Sequence, residues 1–248
     1  MLSSYFNPIF LFLATFFMRR FALSDIHGCL QPFKTLITHH IELQKDDQLF
    51  LLGDYIDRGP DSKGVIDFIM ELQAGGYQVQ CLMGNHEQMM LNAYDGTFNI
   101  EIWRANGGDT AEESFGATLY QLEDKYLQFF RSLQYYVELD DYLLVHAGFD
   151  FRNPDIFADK HAMVWIRNWY HQIKPNVINN RTIVHGHTPM SIPNISKLFK
   201  AKMPFIDIDG GCTFGGALCA IDLDTPKIHC LGANNQYFEI IRDNDDNE

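Results

Sequence analysis

Paired thiols, a basic face and a membrane-length apolar run are all missing from this 248-residue chain, and each absence removes a class of function. The five cysteines (Cys29, Cys81, Cys212, Cys219, Cys230) are odd in number and contain no C-x-x-C pair, so neither a disulfide framework nor a thiolate zinc site is indicated. A reducing, cytoplasmic setting is expected, with most of the five serving as buried small hydrophobes. Lys and Arg number 19 against 32 Asp and Glu, a formal charge of −13. Without clustered basic residues, nucleic acid is excluded as a partner. The apolar stretch from Ile9 to Phe17 falls well short of the roughly 20 residues that span a bilayer. No basic segment precedes it, and Met18-Arg19-Arg20 follows in place of a small-residue cleavage site. No stable membrane span is therefore expected. Residues 1–17 read as an upstream extension ahead of a start at Met18, with a weak membrane-associating leader as the competing reading. The acidic run 243–248 reads as a solvated tail.

What is present is a chain with 46% apolar residues, enough for one sizeable core. Short apolar runs alternate with helical patterns in the first half. The pattern predicts a strand at 20–23, a helix from about Pro32 to Ile41, a buried strand at 48–52, and a helix from Ser62 to about Gln73 closed by Gly75-Gly76. A strand at 77–83 and a helix from about His86 to Ala93 follow. This rhythm implies parallel strands with helices outside. Residues 95–133 read as a helical insertion, broken at Asn106-Gly107-Gly108. Later strands are predicted at 136–139, 142–146, 182–185, 205–208, 217–222 and 227–231. The fold class is α/β, with two packed sheets and helices on both outer faces, and residues 18–242 form one domain.

Five short motifs each follow a predicted strand: Asp25-Ile26-His27-Gly28, Gly53-Asp54-Tyr55-Ile56-Asp57-Arg58-Gly59, Gly84-Asn85-His86-Glu87, His146-Ala147-Gly148 and His185-Gly186-His187-Thr188. Taken singly, each is more often a turn, a helix cap or a satisfied core histidine. In this order they supply enough carboxylate, imidazole and amide for two divalent cations, at the strand ends where α/β sheets gather ligands. Two-metal sites hold both the attacking and the leaving oxygen of a displacement at phosphorus. A water shared by two dications ionises near neutrality, so hydroxide can attack phosphorus directly. No serine or cysteine stands in a recognisable nucleophile context. Phosphate must be drawn in by cations and a few arginines against the overall charge.

These motifs resemble the signature of the phosphoprotein phosphatase branch of the calcineurin-like metallophosphoesterases, nearest to the compact bacterial and bacteriophage serine/threonine phosphatases. The likeness runs from about Met18 to Leu231 and includes Asn106-Gly107-Gly108, Trp165-Ile166-Arg167 and Ile206-Asp207-Ile208-Asp209-Gly210-Gly211. It implies a four-layer αββα sandwich. By the same resemblance, Asp25, His27 and bridging Asp54 hold the first metal, and Asp54, Asn85, His146 and His187 the second. Arg58 and Arg167 grip phosphate, His86 is the general acid, and Asp57 orients it. The cofactors implied are two divalent ions, with Mn favoured and Fe or Zn as alternatives. The substrate implied is a phosphoserine or phosphothreonine protein or peptide, with phosphotyrosine as an extension. Pro189 stands where many relatives carry a further histidine, so the first metal either keeps an extra water or recruits His185, whose role is left open. Two rivals are a symmetric dinucleoside tetraphosphate hydrolase and a non-catalytic metal-binding regulator. The first typically has Gly-Asn-His-Asp and an alanine at the place of Asp57, so Asp57 and Glu87 favour the protein-phosphatase branch. The second would be expected to lack His86, Asp57 or Arg58. Trp103, Trp165 and Trp169 read as core or pocket wall, and His39, His40 and His161 as surface or helix residues.

Overall fold

A computed structural model describes residues 18–242; the extension or leader at 1–17 and the tail at 243–248 lie outside the described residues. The first half follows the predicted alternation closely. Strand β1 (Arg20–Leu23) leads to helix α1 (Leu30–Thr35), which continues as a π turn over Leu36–His40. The helix starts two residues before Pro32, because the first turn has no intrahelical N–H bonds for proline to disrupt. Strand β2 (Gln48–Leu51) precedes α2 (Ser62–Ala74), whose Asp61 cap accepts from Gly64 N–H at 2.8 Å. Val65, Ile66, Ile69 and Leu72 turn one face of α2 into the core. Strand β3 (Gln78–Cys81) and α3 (Asn85–Tyr94) follow.

The insertion is helical as expected: α4 (Ile100–Trp103), a π turn over Arg104–Gly108, α5 (Asp109–Phe115) and α6 (Asp124–Arg131). Gly107, at φ 106°, breaks the run within the predicted Asn106-Gly107-Gly108. Strands β4 (Tyr136–Glu138) and β5 (Tyr142–Val145) form the expected hairpin. Helix α7 (Lys160–Trp165), β6 (Thr182–His185), α8 (Ile192–Lys200), β7 (Phe205–Asp207), β8 (Ala217–Asp222), β9 (Lys227–Gly232) and β10 (Tyr237–Ile241) complete the described chain. Helices α7 and α8 and strand β10 were not expected. Helix α7 has only six residues, and β10 is a half-exposed edge with one buried position, so neither produces a strong periodicity.

The strands form a six-stranded sheet, β10-β9-β8-β1-β2-β3, and a four-stranded sheet, β4-β5-β6-β7. Strands β1, β2 and β3 are parallel, as are β5, β6 and β7. Alternate side chains divide each strand between two cores. Phe21, Leu23, Leu49 and Leu51 face the cluster under α1, α2 and α3, whereas Ala22, Phe50 and Leu52 face Leu144, Val184 and Ile206 of the other sheet. Leu143, Val145, Ile183 and Phe205 form the outer face of the second sheet, covered by Phe149, Phe151, Met163, Trp169 and Ile178. The fourth layer is therefore mostly irregular chain with the short α7, while α8 sends Ile195 and Phe199 between the sheets. Burial on both faces explains why the central strands read as unbroken apolar runs.

Candidate metal centre

The loops after β1 and β2 are bound backbone to backbone. His27 N–H donates to Asp54 O at 2.9 Å, Gly28 N–H to Tyr55 O at 2.8 Å and Asp25 N–H to Gly53 O at 3.3 Å. A Cβ on Gly53 would meet Gly84 N at 2.6 Å, so that close approach requires glycine. Asp25, His27, Asp54, Asp57, Arg58 and His187 all have φ between 43° and 73°, the left-handed region that side chains disfavour. Glu87, on the first turn of α3, braces the loop. Its Oε2 accepts from the N–H of Asp54 (2.9 Å) and Gly84 (3.1 Å), and its Oε1 from those of Tyr55 (2.8 Å) and Ile56 (3.3 Å). In sequence, Glu87 marks only the family branch. Its bracing role has no sequence signal beyond its place at the start of the helix.

Buried donors converge in two groups that share Asp54: His27, Asp54 and His86, and Asp54, His146 and His187. His146 Nδ1–H donates to Leu52 O at 2.9 Å, which leaves Nε2 with a bare lone pair. That lone pair faces Asn85 Oδ1 at 3.0 Å and His187 Nδ1 at 3.2 Å, and Asn85 Oδ1 is 2.9 Å from His187 Nδ1. Asp54 Oδ1 lies 3.5 Å from the same His146 nitrogen, and His187 Nε2 is buried with no partner. Oxygen and imidazole acceptors crowded this closely fit a borderline divalent cation. On the other side, His27 Nδ1–H donates to Ile56 O at 2.8 Å and turns Nε2 toward Asp54 Oδ2 at 3.3 Å. Burial opposes ionisation of Asp54, but His146, His86 and His27 around it hold the carboxyl well below its usual range. Burial would lower His27, yet its bond to Asp54 and that carboxylate's charge raise it to about 9. His187 is pushed down to about 2 by burial and by His146.

The remaining predicted residues ring these donors. His86 Nδ1 is 2.7 Å from Asp57 Oδ2, and Trp103 Nε1–H donates to the same oxygen at 2.9 Å. Burial drives His86 down to about 3 and Asp57 well above the usual carboxylate range. Arg58 Nη1 lies 2.8 Å from His27 Nε2, and its backbone N–H donates to Gly107 O at 3.1 Å. Arg167 donates to His187 O at 3.2 Å and to Thr188 Oγ1. Asp25 belongs to neither three-donor group. Its carboxylate accepts from His187 N–H at 3.0 Å and from Ser24 Oγ, which holds it against the site. His86 instead completes the first group, with Nε2 4.0 Å from Asp54 Oδ2. His185 lies outside both groups. Its Nδ1 bonds Gly186 O at 3.0 Å, and its ring packs against Trp169 and Tyr170. The insertion contributes Trp103 and Gly107 as contacts to the loop that carries Asp57 and Arg58, a link that sequence distance concealed.

The calcineurin-like phosphoesterase profile matches residues 18–227. The chain is 34% identical to the symmetrical bis(5'-nucleosyl)-tetraphosphatase of Pseudomonas putida over 53% of its own length and 42% of that protein, so it spans less than half of that relative. It is 29% identical to serine/threonine-protein phosphatase 1 of Salmonella typhimurium, covering 79% of this chain and 88% of the other. It is 27% identical to the asymmetrical bis(5'-nucleosyl)-tetraphosphatase PrpE of Bacillus thuringiensis, covering 80% and 88% respectively. Among solved structures, a cold-active protein-tyrosine phosphatase of a psychrophilic Shewanella shares the fold with a TM-score of 0.59 at 19% identity, covering 90% of this chain and 80% of that one.

Proposed function

This chain belongs to the calcineurin-like phosphoesterase family, and within it we propose a dinuclear-metal phosphomonoesterase that hydrolyses phosphoserine and phosphothreonine, with phosphotyrosine as a further substrate. The carrying observation is Asp54, shared by two buried donor groups, with the His86–Asp57 pair at its edge. Asp25, His27 and Asp54 would hold one cation, and Asp54, Asn85, His146 and His187 the other. Bound divalent ions at such a site neutralise phosphate charge and make water a nucleophile at neutral pH. Mn, Fe and Zn all suit the donor set.

The protein's own groups supply the rest. Phosphoryl transfer asks chiefly for positioning and charge neutralisation. Arg58 and Arg167 stand at the rim, where their guanidinium forks can take phosphate oxygens in pairs. A serine alkoxide is a poor leaving group and needs a proton. Burial favours a His86–Asp57 pair without net charge. Whether the 2.7 Å bond joins carboxylic acid to neutral ring or carboxylate to imidazolium, Nε2 then carries a hydrogen. That hydrogen is the one His86 would pass to the leaving oxygen, with Asp57 and Trp103 fixing the ring. A second reading, dinucleoside tetraphosphate hydrolysis, draws support from the relatives of that name. A regulator without turnover has no use for the retained His86, Asp57 and Arg58.

The test strips the protein of metal, reloads it with Mn, and assays p-nitrophenyl phosphate, a phosphoserine peptide and diadenosine tetraphosphate. Peptide turnover that appears only with metal supports the proposal. Full turnover in chelator with no bound metal would refute it, and a strong preference for the dinucleotide would select the second reading.

A further inference from the structure

The segment Gly210-Gly211-Cys212-Thr213-Phe214-Gly215-Gly216 is a turn built to hold one side chain outward. Gly211 and Gly215 bracket the 3₁₀ turn Cys212–Phe214 at φ 70° and 82°. A Cβ on Gly216 would sit 2.0 Å from Gly210 O, so the neck of the turn closes only with glycine. Gly211 N–H donates to buried Asp209 Oδ1 at 2.9 Å, which ties the turn to the sheet. Phe214, at its tip, is 63% exposed and is the only phenylalanine among the exposed large hydrophobics of the described residues. It belongs to none of the three core clusters. The Arg58 guanidinium stands 5.4 Å from its ring centroid and lies against His27 at the metal centre. Near the pair in sequence, a cavity of about 420 Å³ is walled mainly by Cys29, Leu30, Pro32, Pro60 and Cys212, with Gln31 and Asp61 among its lining residues. Pro60 lies two residues after Arg58, and Cys212 two before Phe214.

We propose that Phe214 is a leaving-group platform, giving the site a preference for phosphoesters whose leaving group carries a flat aromatic ring, the phenol of phosphotyrosine or the base of a nucleotide. With phosphate held by Arg58 and the metal centre, a phenol ring one ester bond away, or a nucleotide base carried farther out on its ribose and phosphates, meets the exposed phenyl face, where offset or edge contact is favourable. The mostly apolar cavity takes what extends beyond the ring. An aliphatic phosphoserine ester reaches Arg58 equally well but has nothing to lay on Phe214. This inference rests on the phosphoester-hydrolase reading and adds a choice among esters.

The test uses the full-length, metal-loaded protein with phosphotyrosine and phosphoserine peptides of identical flanking sequence, together with diadenosine tetraphosphate. Phe214→Ala should lower kcat/KM on a ring ester about tenfold more than on phosphoserine, mainly through KM. Phe214→Trp should restore the ratio. The ring ester that suffers identifies the source, peptide or nucleotide. Metal content and melting temperature guard against a folding defect. Equal losses on ring and aliphatic esters, or no loss on either ring ester, would overturn the platform while leaving the hydrolase reading intact. A metal-loaded wild type inactive on every ester would overturn both.

Discussion

Replacing Glu87 by glutamine tests whether the catalytic loop is held by one buried carboxylate. The side chain accepts four backbone N–H groups, two on each oxygen. Whichever way a glutamine amide turns, its NH₂ faces two of those donors, so two bonds are lost and two N–H groups are left unsatisfied. At about 1–3 kcal/mol for each of the two stranded buried groups, the variant should lose roughly 2–6 kcal/mol. A domain of this size shifts by about 2–4 °C per kcal/mol, so melting should fall by on the order of 10 °C. Asp54, Asp57 and Arg58 ride on the released loop, and a displacement of about 1 Å at such groups costs on the order of 10²-fold in rate. Thermal melting, Mn titration by calorimetry and p-nitrophenyl phosphate turnover measure the three effects. Saturating metal should recover part of the lost stability, because cations bind only the ordered loop. A Glu87→Gln protein with parental melting, Mn affinity and turnover would refute the bracing role.

Asp54→Asn should reduce occupancy of both metals and lower turnover by at least about 10²-fold, since one carboxylate serves both donor groups; normal metal content with a near-normal rate would move the bridge elsewhere. His86→Asn should slow a phosphoserine ester by about 10²–10⁴-fold and p-nitrophenyl phosphate distinctly less. Loss of a metal in that variant would instead make His86 a ligand, as its place beside His27 and Asp54 permits. Gly107→Ala puts a methyl 2.6 Å from Arg58 N at φ 106°, so it should destabilise by at least about 1 kcal/mol and raise KM for phosphoesters; an unchanged KM would free Arg58 from that contact. Asp47 accepts from Arg19 Nη2 at 2.6 Å and Gln44 N at 2.8 Å. Burial works against its charge, yet these donors hold its carboxyl below the usual range. Its contribution, about 1 kcal/mol with Arg19 partly exposed, is present above the unfolded carboxyl pKa and fades as pH falls through the lower folded value. Melting of Asp47→Asn should therefore depend less on pH in the acid range than that of the parent, and parallel profiles would refute the assignment.

The parts of this molecule that were legible in sequence are those where local pattern and chemistry coincide. Strands β1 and β2 are buried on both faces and read as apolar runs, the edge strand β3 alternates polar with apolar residues, and Asp25, Asp54 and Asn85 announce themselves by falling just after these strands. His146 and His187 were legible for the same reason. The bracing groups were not, because each acts across a long loop. Trp103 reaches Asp57 from 46 positions away, and its sequence context marks it only as apolar. Glu87 contacts a backbone more than 30 residues distant, through N–H groups that every residue type carries. Asp25 stands between the two. Its motif gains meaning only beside the other four, and its carboxylate turns toward His187 N–H, a partner 162 positions on. Strand β10 needed the edge of β9 to exist at all, and no run of its own residues supplies that edge.

Six of the proposed site residues sit in left-handed backbone, and the consequence reaches beyond catalysis. Each such position costs an L-residue roughly 1–2 kcal/mol. Together they rival the whole net stability of an ordinary domain. The proposed site is thus the part of the fold with most reason to relax, and metal ions held there would act as structural ligands as well as reagents. A screen for heat resistance that ignored activity would find its gains here, drawing glycine or asparagine into Arg58 and its neighbours and yielding sturdier proteins that hydrolyse nothing.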